Sequence, residues 1–358
     1  MKIAFHIHSL TKGGAERAVA NLAEAFVKKG HDVSVITSIK NSSEYPLSDG
    51  VMRHVLTEKP NNESFYFRYI FLSRQLRKLC KKENYDVLVC FISGSTLRGF
   101  IGTLGLKTKI VTSVRNDPKY EYAGTFGRIM MKYVLPLLDG CVFQTKDAKD
   151  SFPAKVKDKS TIIFNAINPQ FFSVERKPVN NKIVSCGRLA VQKNHELLIR
   201  AFVKVHESIP ESYLEIYGKG EKESEISNLI STLNVGNYIF LRGETSDIKG
   251  VLSEAEMFIL SSDFEGMPNA LMEAMAAGVP CISTDCPCGG PRSLIHDGVN
   301  GILVPVKNED ALKDAILKLK RNDDLRMKIG QESAKSSRSY TIDNVGNQWL
   351  DYLNRICK

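Results

Sequence analysis

Lys2-Ile3-Ala4-Phe5-His6-Ile7-His8-Ser9-Leu10-Thr11-Lys12-Gly13-Gly14-Ala15-Glu16-Arg17 opens the chain with a short apolar run, a loop holding paired glycines, and the start of an amphipathic stretch. Through Lys29 the residues Ala18, Leu22, Ala25 and Phe26 recur at helical spacing, and His31 to Thr37 then alternates as a strand. Strand, glycine loop, helix and strand make a βαβ unit. Its parallel strands need a crossover, and that crossover is almost always right-handed.

Outward from this unit the pattern repeats. Apolar runs at Val87–Ile92, Lys109–Val114, Gly140–Gln144 and Thr161–Phe164 read as buried strands, with helical stretches at Phe65–Lys82 and Phe126–Leu138 between them. Pro169 and Pro178 with their polar neighbours interrupt the pattern, since neither permits a continuous helix or a central strand. It restarts with strands at Lys182–Ser185, Tyr213–Tyr217, Tyr238–Leu241, Met257–Leu260, Pro280–Ser283 and Gly301–Val304, and with helices at His195–Ile209 and Glu221–Leu233. Helical segments at Asp310–Ser336 and Ile342–Cys357 finish it. A chain of 358 residues, 43% hydrophobic, can bury two cores. The expected fold class is α/β, with two Rossmann-like domains facing across a cleft. The first domain is placed at 1–170, a linker at 171–181 and the second domain at 182–338, with a helix at 339–358 packing back toward the first domain. Open α/β sheets bind ligands beyond the carboxyl ends of their strands, so the chemistry is expected in those loops.

The formal charge of +9 is lopsided: residues 1–172 carry a net +11 and residues 173–358 a net −2. An excess of this kind suits an anionic partner, and equally a solvated Lys-rich surface. Eight cysteines at irregular spacing form no CxxC pair and read as reduced thiols. The N-terminal apolar run is short and broken by His6 and His8, unlike a signal peptide, and no run approaches the roughly 18 apolar residues of a spanning helix.

The sharpest chemical signal is Ser262-Asp263-Phe264-Glu265-Gly266-Met267-Pro268-Asn269-Ala270-Leu271-Met272-Glu273, directly after the Met257–Leu260 strand. Pro268 suits a first helical turn, and Gly266 lets backbone approach a ligand. Amides among Gly266, Met267, Asn269 and Ala270 can then face an anion at the positive end of the helix. Glu265 before that helix and Glu273 within it lie about two turns apart, so two carboxylates can grip vicinal hydroxyls at two places. The second signal is Cys186-Gly187-Arg188-Leu189-Ala190-Val191-Gln192-Lys193-Asn194-His195, where Arg188 offers a fork and Lys193 a point charge for a departing diphosphate. The third is Gly13-Gly14, with Glu16 complementing the helix dipole.

This glycine pair is not GxGxxG, and no GxxxxGK[ST] occurs, which removes support for a nicotinamide enzyme or a P-loop kinase. No Asp-x-Asp pair exists, and the histidines lack metal-ligand spacing, so neither a metal nor a cofactor is expected. Cys286-Pro287-Cys288-Gly289-Gly290-Pro291 reads as a turn feeding a helix at Pro291.

Glu265 to Glu273, Arg188 and Lys193 in G-R-L-x3-K-N, and Gly13-Gly14 together resemble family 4 of the retaining glycosyltransferases, of the bacterial surface-polysaccharide type, over residues 3 to about 305. The resemblance implies the GT-B fold and a metal-independent transfer of a hexose or N-acetylhexosamine from a nucleoside diphosphate sugar, UDP-linked by preference. By it, Glu265 would hold the transferred sugar, Glu273 the ribose, and Arg188 with Lys193 the diphosphate. Gly14 and the amides of the Gly266 loop would complete the cradle. Many members carry a histidine at the end of a first-domain strand; here Val111-Thr112-Ser113-Val114-Arg115-Asn116-Asp117-Pro118 fills that loop. Arg115 or Asn116 is therefore expected at the transferred sugar or the acceptor phosphate, with a structural Asn-Asp-Pro turn as the competing reading.

The acceptor should meet the basic half. In 65–82, Phe65, Tyr69, Leu72, Leu76 and Leu79 share one helical face while Arg74, Arg77, Lys78 and Lys81 line another, as on an anionic membrane surface or, equally, in an amphipathic core helix. The resemblance adds a lipid-diphosphate-linked saccharide acceptor, and the expected place is the cytoplasm, peripherally on the inner face of the cell membrane. A sugar-nucleotide epimerase or hydrolase of the same fold is the main rival. Nucleic-acid binding has little support, because cations and stacking aromatics interleave only near Phe65.

Overall fold

The apolar runs become two parallel sheets in a computed structural model that describes residues 1–11, 13–58, 64 and 66–358; Lys12 and Phe65 lie outside the described residues. The first sheet holds β1 (Lys2–Ile7), β2 (Asp32–Thr37), β3 (Val51–Val55), β4 (Val87–Phe91), β5 (Lys109–Ser113), β6 (Gly140–Phe143) and β7 (Ser160–Ile162), in the order β3-β2-β1-β4-β5-β6-β7. The second holds β8 (Lys182–Cys186), β9 (Tyr213–Tyr217), β10 (Ile239–Gly243), β11 (Met257–Leu260), β12 (Cys281–Thr284) and β13 (Ile302–Val304), in the order β10-β9-β8-β11-β12-β13. Helices cover both faces of such sheets, which is why their central strands read as continuous apolar runs. Phe5, for instance, pairs in register with Val35 on one side and Val89 on the other, and all three are fully buried. Strand order reverses between β1 and β4 and again between β8 and β11. Each reversal opens a crevice at the carboxyl edge, where α/β sheets receive ligands.

The chain divides into two compact units, Met1–Ala166 with Ile342–Lys358, and Ile167–Thr341. The crossing thus falls before the segment 171–181 that was expected to be a linker. That segment belongs wholly to the second unit because it is tied down there: Phe171 is buried, and the amides of Lys177 and Val179 donate to Ser253 O and Glu254 O at 2.9 and 2.8 Å.

Among the elements that went unread in the sequence are an edge strand and a short helix. β3 is an edge strand whose Arg53 and His54 break the apolar pattern. The helix Ser93–Thr103 is rich in glycine and serine, poor helix formers. Its small residues serve close packing, since a side chain at Gly99 would collide with Cys90 Sγ. The stretch 126–138 is helical but changes pitch, from α (Gly124–Ile129) to π (Met130–Val134) to 3-10 (Leu135–Leu137), with Pro136 supplying no amide to the last turn.

The last helix, Ile342–Cys357, is part of the first unit. Trp349, fully buried, stacks on Phe91 of β4 with ring centroids 6.1 Å apart, and Leu350 and Leu353 are buried beside it. The Tyr352 hydroxyl accepts from Cys141 N at 2.9 Å and donates to Lys159 O at 2.5 Å, pinning the helix across β6 and β7. Tyr352→Phe strands both backbone groups and should cost about 1–3 kcal/mol of stability. Because Trp349 is the single tryptophan, urea unfolding followed by its emission checks this directly; an unchanged midpoint would show that the hydroxyl contributes nothing.

Candidate functional site

In the second unit the loops after β8 and β11 flank the strand-order reversal and are laced together. Asp263 N donates to Gln192 O (2.8 Å), Asn194 Nδ2 to Asp263 Oδ1 (2.8 Å), and Ser261 Oγ to Lys193 O (2.9 Å). On its other side the β8 loop is sewn to the loop after β9: Gly187 N donates to Tyr217 O, and Leu189 N to Lys219 O. This backbone approach needs glycine at 218, whose φ of 146° and proximity to Gly187 O exclude a side chain.

Glu265 lies inside this lacing, 5% exposed. Its Oε1 accepts from Lys193 Nζ at 2.5 Å and from Ser262 Oγ at 2.7 Å, and its Oε2 from Gln192 Nε2 at 3.2 Å. Its amide donates to Pro287 O at 2.7 Å, and its carbonyl accepts from Cys288 N at 3.0 Å. The Cys286–Pro291 turn thereby supports the Glu265 backbone and feeds the helix Gly290–Leu294. Gly290 presses on Gly266 O too closely for any side chain.

The helix expected after Gly266 runs from Asn269 to Ala276. The amides of Gly266, Met267, Ala270 and Leu271 have no acceptor among the described residues, so the turn offers a row of donors at a positive helix end. Glu273 is 7% exposed in this helix. Burial pushes the Cys186 thiol at the end of β8 up to about 12, and the charge of Glu273 adds to that rise. Arg188 is exposed, with no side-chain acceptor among the described residues. Glu265, Glu273, Arg188, Lys193 and the Gly266–Ala270 turn therefore share one end of one sheet. Gln192 and Ser262 were within the quoted motifs yet unassigned; only the fold reveals that they hold Glu265, whose Oε2 keeps room for a further donor.

The first unit carries a second set at its own carboxyl edge. Gly13 caps the helix Gly14–Lys28 without a side-chain bond, and a side chain there would collide with Glu16 Oε2. The Glu16 carboxylate thus already lies at that helix end. Beyond β5, the Glu121 carboxylate accepts three backbone amides: Ser93 N on Oε1, and Arg115 N and Asn116 N on Oε2, all at 3.1 Å. Burial pushes Glu121 up to about 7 against the pull of those amides. Ile92, preceding Ser93, is held at φ 72° and ψ 148°, a region nearly reserved for glycine and a sign of stored strain. The Arg115 guanidinium lies 4.7 Å over the Phe91 ring. In the amide orientation that satisfies both ends, Gln144 donates to Arg115 O (2.9 Å) and accepts from Arg115 Nη1 (3.1 Å). Arg115 Nε is buried without a partner. Burial pushes Arg115 down to about 9, and it remains cationic at neutral pH. Nothing in the sequence singled out Glu121 or Gln144.

The helix expected over 65–82 is a π turn, Tyr66–Phe71, followed by an α-helix, Leu72–Glu83. Its apolar face is a core face: Leu72, Leu76 and Cys80 are buried, with Leu76 packed beneath Gly102. Arg77 donates to Leu104 O at 2.5 Å and Gly102 O at 3.3 Å, while Arg74, Lys78 and Lys81 are exposed. The burial of Leu72, Leu76 and Cys80 favours the core-helix reading of 65–82, while Tyr69, half-buried, meets the ring of Phe126 at 5.8 Å. No helix among the described residues is long and apolar enough to cross a bilayer.

Residues 12–171 match the family model Glycosyltransferase Family 4, and residues 167–336 match Glycosyl transferases group 1. A Campylobacter jejuni protein, N-acetylgalactosamine-N,N'-diacetylbacillosaminyl-diphospho-undecaprenol 4-alpha-N-acetylgalactosaminyltransferase, is 27% identical, the match covering 98% of this chain and 99% of the relative. Another from the same organism, GalNAc-alpha-(1->4)-GalNAc-alpha-(1->3)-diNAcBac-PP-undecaprenol alpha-1,4-N-acetyl-D-galactosaminyltransferase, is 25% identical over 99% of each. Among solved structures, Anabaena HepE in complex with UDP-glucose superposes with a TM-score of 0.83 at 17% identity, covering 99% of this chain and 100% of that one, a likeness of fold. The chain is a glycosyltransferase of the GT-B fold, with a Family 4 first half and a group 1 second half.

Proposed function

We propose that this protein is a metal-independent retaining hexosyltransferase. It moves a hexose or N-acetylhexosamine from a nucleoside diphosphate sugar, with UDP favoured, to a lipid-diphosphate-linked saccharide at an anionic membrane surface. The observation that carries this reading is the buried, triply held Glu265 beside four open amides, Glu273 and Arg188 at the strand-order reversal of the second sheet. The Campylobacter relatives, named for transfer to diphospho-undecaprenol saccharides, support the acceptor class.

In this reading Arg188, Lys193 and the amides of Gly266, Met267 and Ala270 stabilise charge developing on the departing diphosphate, with Asn269 beside them, and Gly13-Gly14 is assigned separately to donor binding. Pro268 stands at the N-cap, just before the helix, and has no amide to leave unsatisfied there. Glu265 grips sugar hydroxyls and Glu273 the ribose. A carboxylate already accepting from an ammonium, a hydroxyl and an amide is a poor nucleophile, so Glu265 is assigned to binding and orientation rather than to a covalent glycosyl intermediate. In the first unit, the half-buried Arg115 guanidinium or the exposed Asn116 is assigned to the transferred sugar or the acceptor phosphate.

Glu273→Ala should raise the donor KM about tenfold or more with little change in kcat, whereas Glu265→Ala should also depress kcat; the reverse split would overturn the assignment. Arg115→Ala with unchanged kinetics would reduce that loop to a structural turn. Glu121 gives a pH signature. Its folded pKa near 7 exceeds the ordinary carboxylate value, so the native state holds a proton that the unfolded chain releases. Its contribution to stability is present below about 4.5 and declines as pH rises to about 7. Glu121→Gln should remove that decline; parallel stability profiles for the two proteins between those values would contradict the assignment.

A further inference from the structure

Large apolar side chains are concentrated in solvent on one stretch of the first unit. Tyr120 is 56% exposed, Phe126 44%, Ile129 47%, Tyr133 57% and Leu137 67%. Single exposed apolar residues are ordinary, but a contiguous row marks an interaction surface. The changing helical pitch of 124–137 turns Gly127, Met130 and Leu135 inward, and leaves Phe126, Ile129, Tyr133 and Leu137 outward with the exposed cations Arg128 and Lys132 between them. Lys132 lies 5.2 Å over the Tyr133 ring, and exposed Lys119 adjoins Tyr120. From Tyr122 to Leu138 the sequence contains no Asp or Glu, within a half of the chain that carries the whole positive excess.

We propose that this outward face of 120–137, rather than the helix Leu72–Glu83, is the surface by which the protein lies on an anionic lipid bilayer. The inference rests on the reading of a lipid-linked acceptor given above. Apolar and tyrosine side chains enter the headgroup boundary while interleaved Arg and Lys meet lipid phosphates. A second copy is a poor occupant: a self-complementary contact would set Arg128 and Lys132 against themselves with no carboxylate in the face to receive them. The placement also suits the chemistry. A lipid-linked diphosphate begins at the bilayer surface, and the same chain segment runs from Arg115 and Asn116 through the Asp117-capped turn to the apolar face. Glu121, bonded to the amides of Arg115 and Asn116, ties the two together.

The test is flotation of the full chain with phosphatidylcholine vesicles and with phosphatidylcholine–phosphatidylglycerol vesicles. Three proteins are compared: wild type, Phe126→Ser/Ile129→Ser/Tyr133→Ser/Leu137→Ser, and Arg74→Glu/Lys78→Glu/Lys81→Glu. Wild type should float only with the anionic vesicles. The four-serine variant should bind about tenfold or more weakly, with its Trp349 emission and donor hydrolysis unchanged, and the helix variant should lose less. If wild type floats and the four-serine variant floats equally well, the surface is wrong while the membrane reading stands. If wild type floats with neither vesicle even at low salt, the membrane reading itself fails. If wild type is a dimer in solution and the four-serine variant a monomer, the face is a self-association surface and the proposal is overturned.

Discussion

The second unit is organised around one ion pair, Lys193 with Glu265, 2.5 Å apart with side chains 17% and 7% exposed. A carboxylate this buried needs compensation, and removing the partner of a buried charge typically costs about 3–5 kcal/mol. Here the compensation comes from the neighbouring loop, where Lys193 and Gln192 follow β8 while Glu265 and Ser262 follow β11. The need to satisfy one carboxylate therefore holds two loops in register across the strand-order reversal. Among the described residues, Arg188 and the amides of the Gly266 turn keep no acceptor, and the proposed function gives them to the donor. In the proposed function, a donor diphosphate binding Lys193 would compete with its bond to Glu265, coupling phosphate recognition to the grip on the sugar.

The first unit solves a similar problem with another carboxylate. Glu121 collects the amides of Ser93, Arg115 and Asn116 where β4 and β5 end, next to a strained Ile92 and a partly unsatisfied Arg115. Strain of this kind persists only where surrounding bonds over-determine it. Neutralising amides with an internal carboxylate fixes the loop while leaving the Arg115 guanidinium as its cation. Glu16 at Gly13 follows the same logic at the neighbouring helix end.

What was legible in the sequence was what local chemistry determines. Apolar runs with helical intervals gave both sheets, because strands buried on both faces must be apolar. The Glu265–Glu273 spacing and the Arg188–Lys193 loop could be placed together because each follows directly on such a run. Gln192 and Gln144 could not be assigned, since their partners are remote: Gln192 meets Glu265 and Gln144 meets Arg115 only once the sheets have formed; Ser262 and Glu121 bond within their own loops, where no sequence pattern marks them. The amphipathic pattern of 72–83 was real, but periodicity cannot say whether an apolar face meets a core or a lipid. The 124–137 stretch escaped the same reading because its α, π and 3-10 turns blur any single period.

The central claim is that Glu265 orients a sugar whose anomeric configuration survives transfer while the diphosphate leaves. It is tested most directly by the anomeric proton coupling, in NMR, of product formed from an α-linked UDP-sugar and a lipid-diphosphate-linked saccharide. The account predicts an α-linked product; a β-linked product would contradict it.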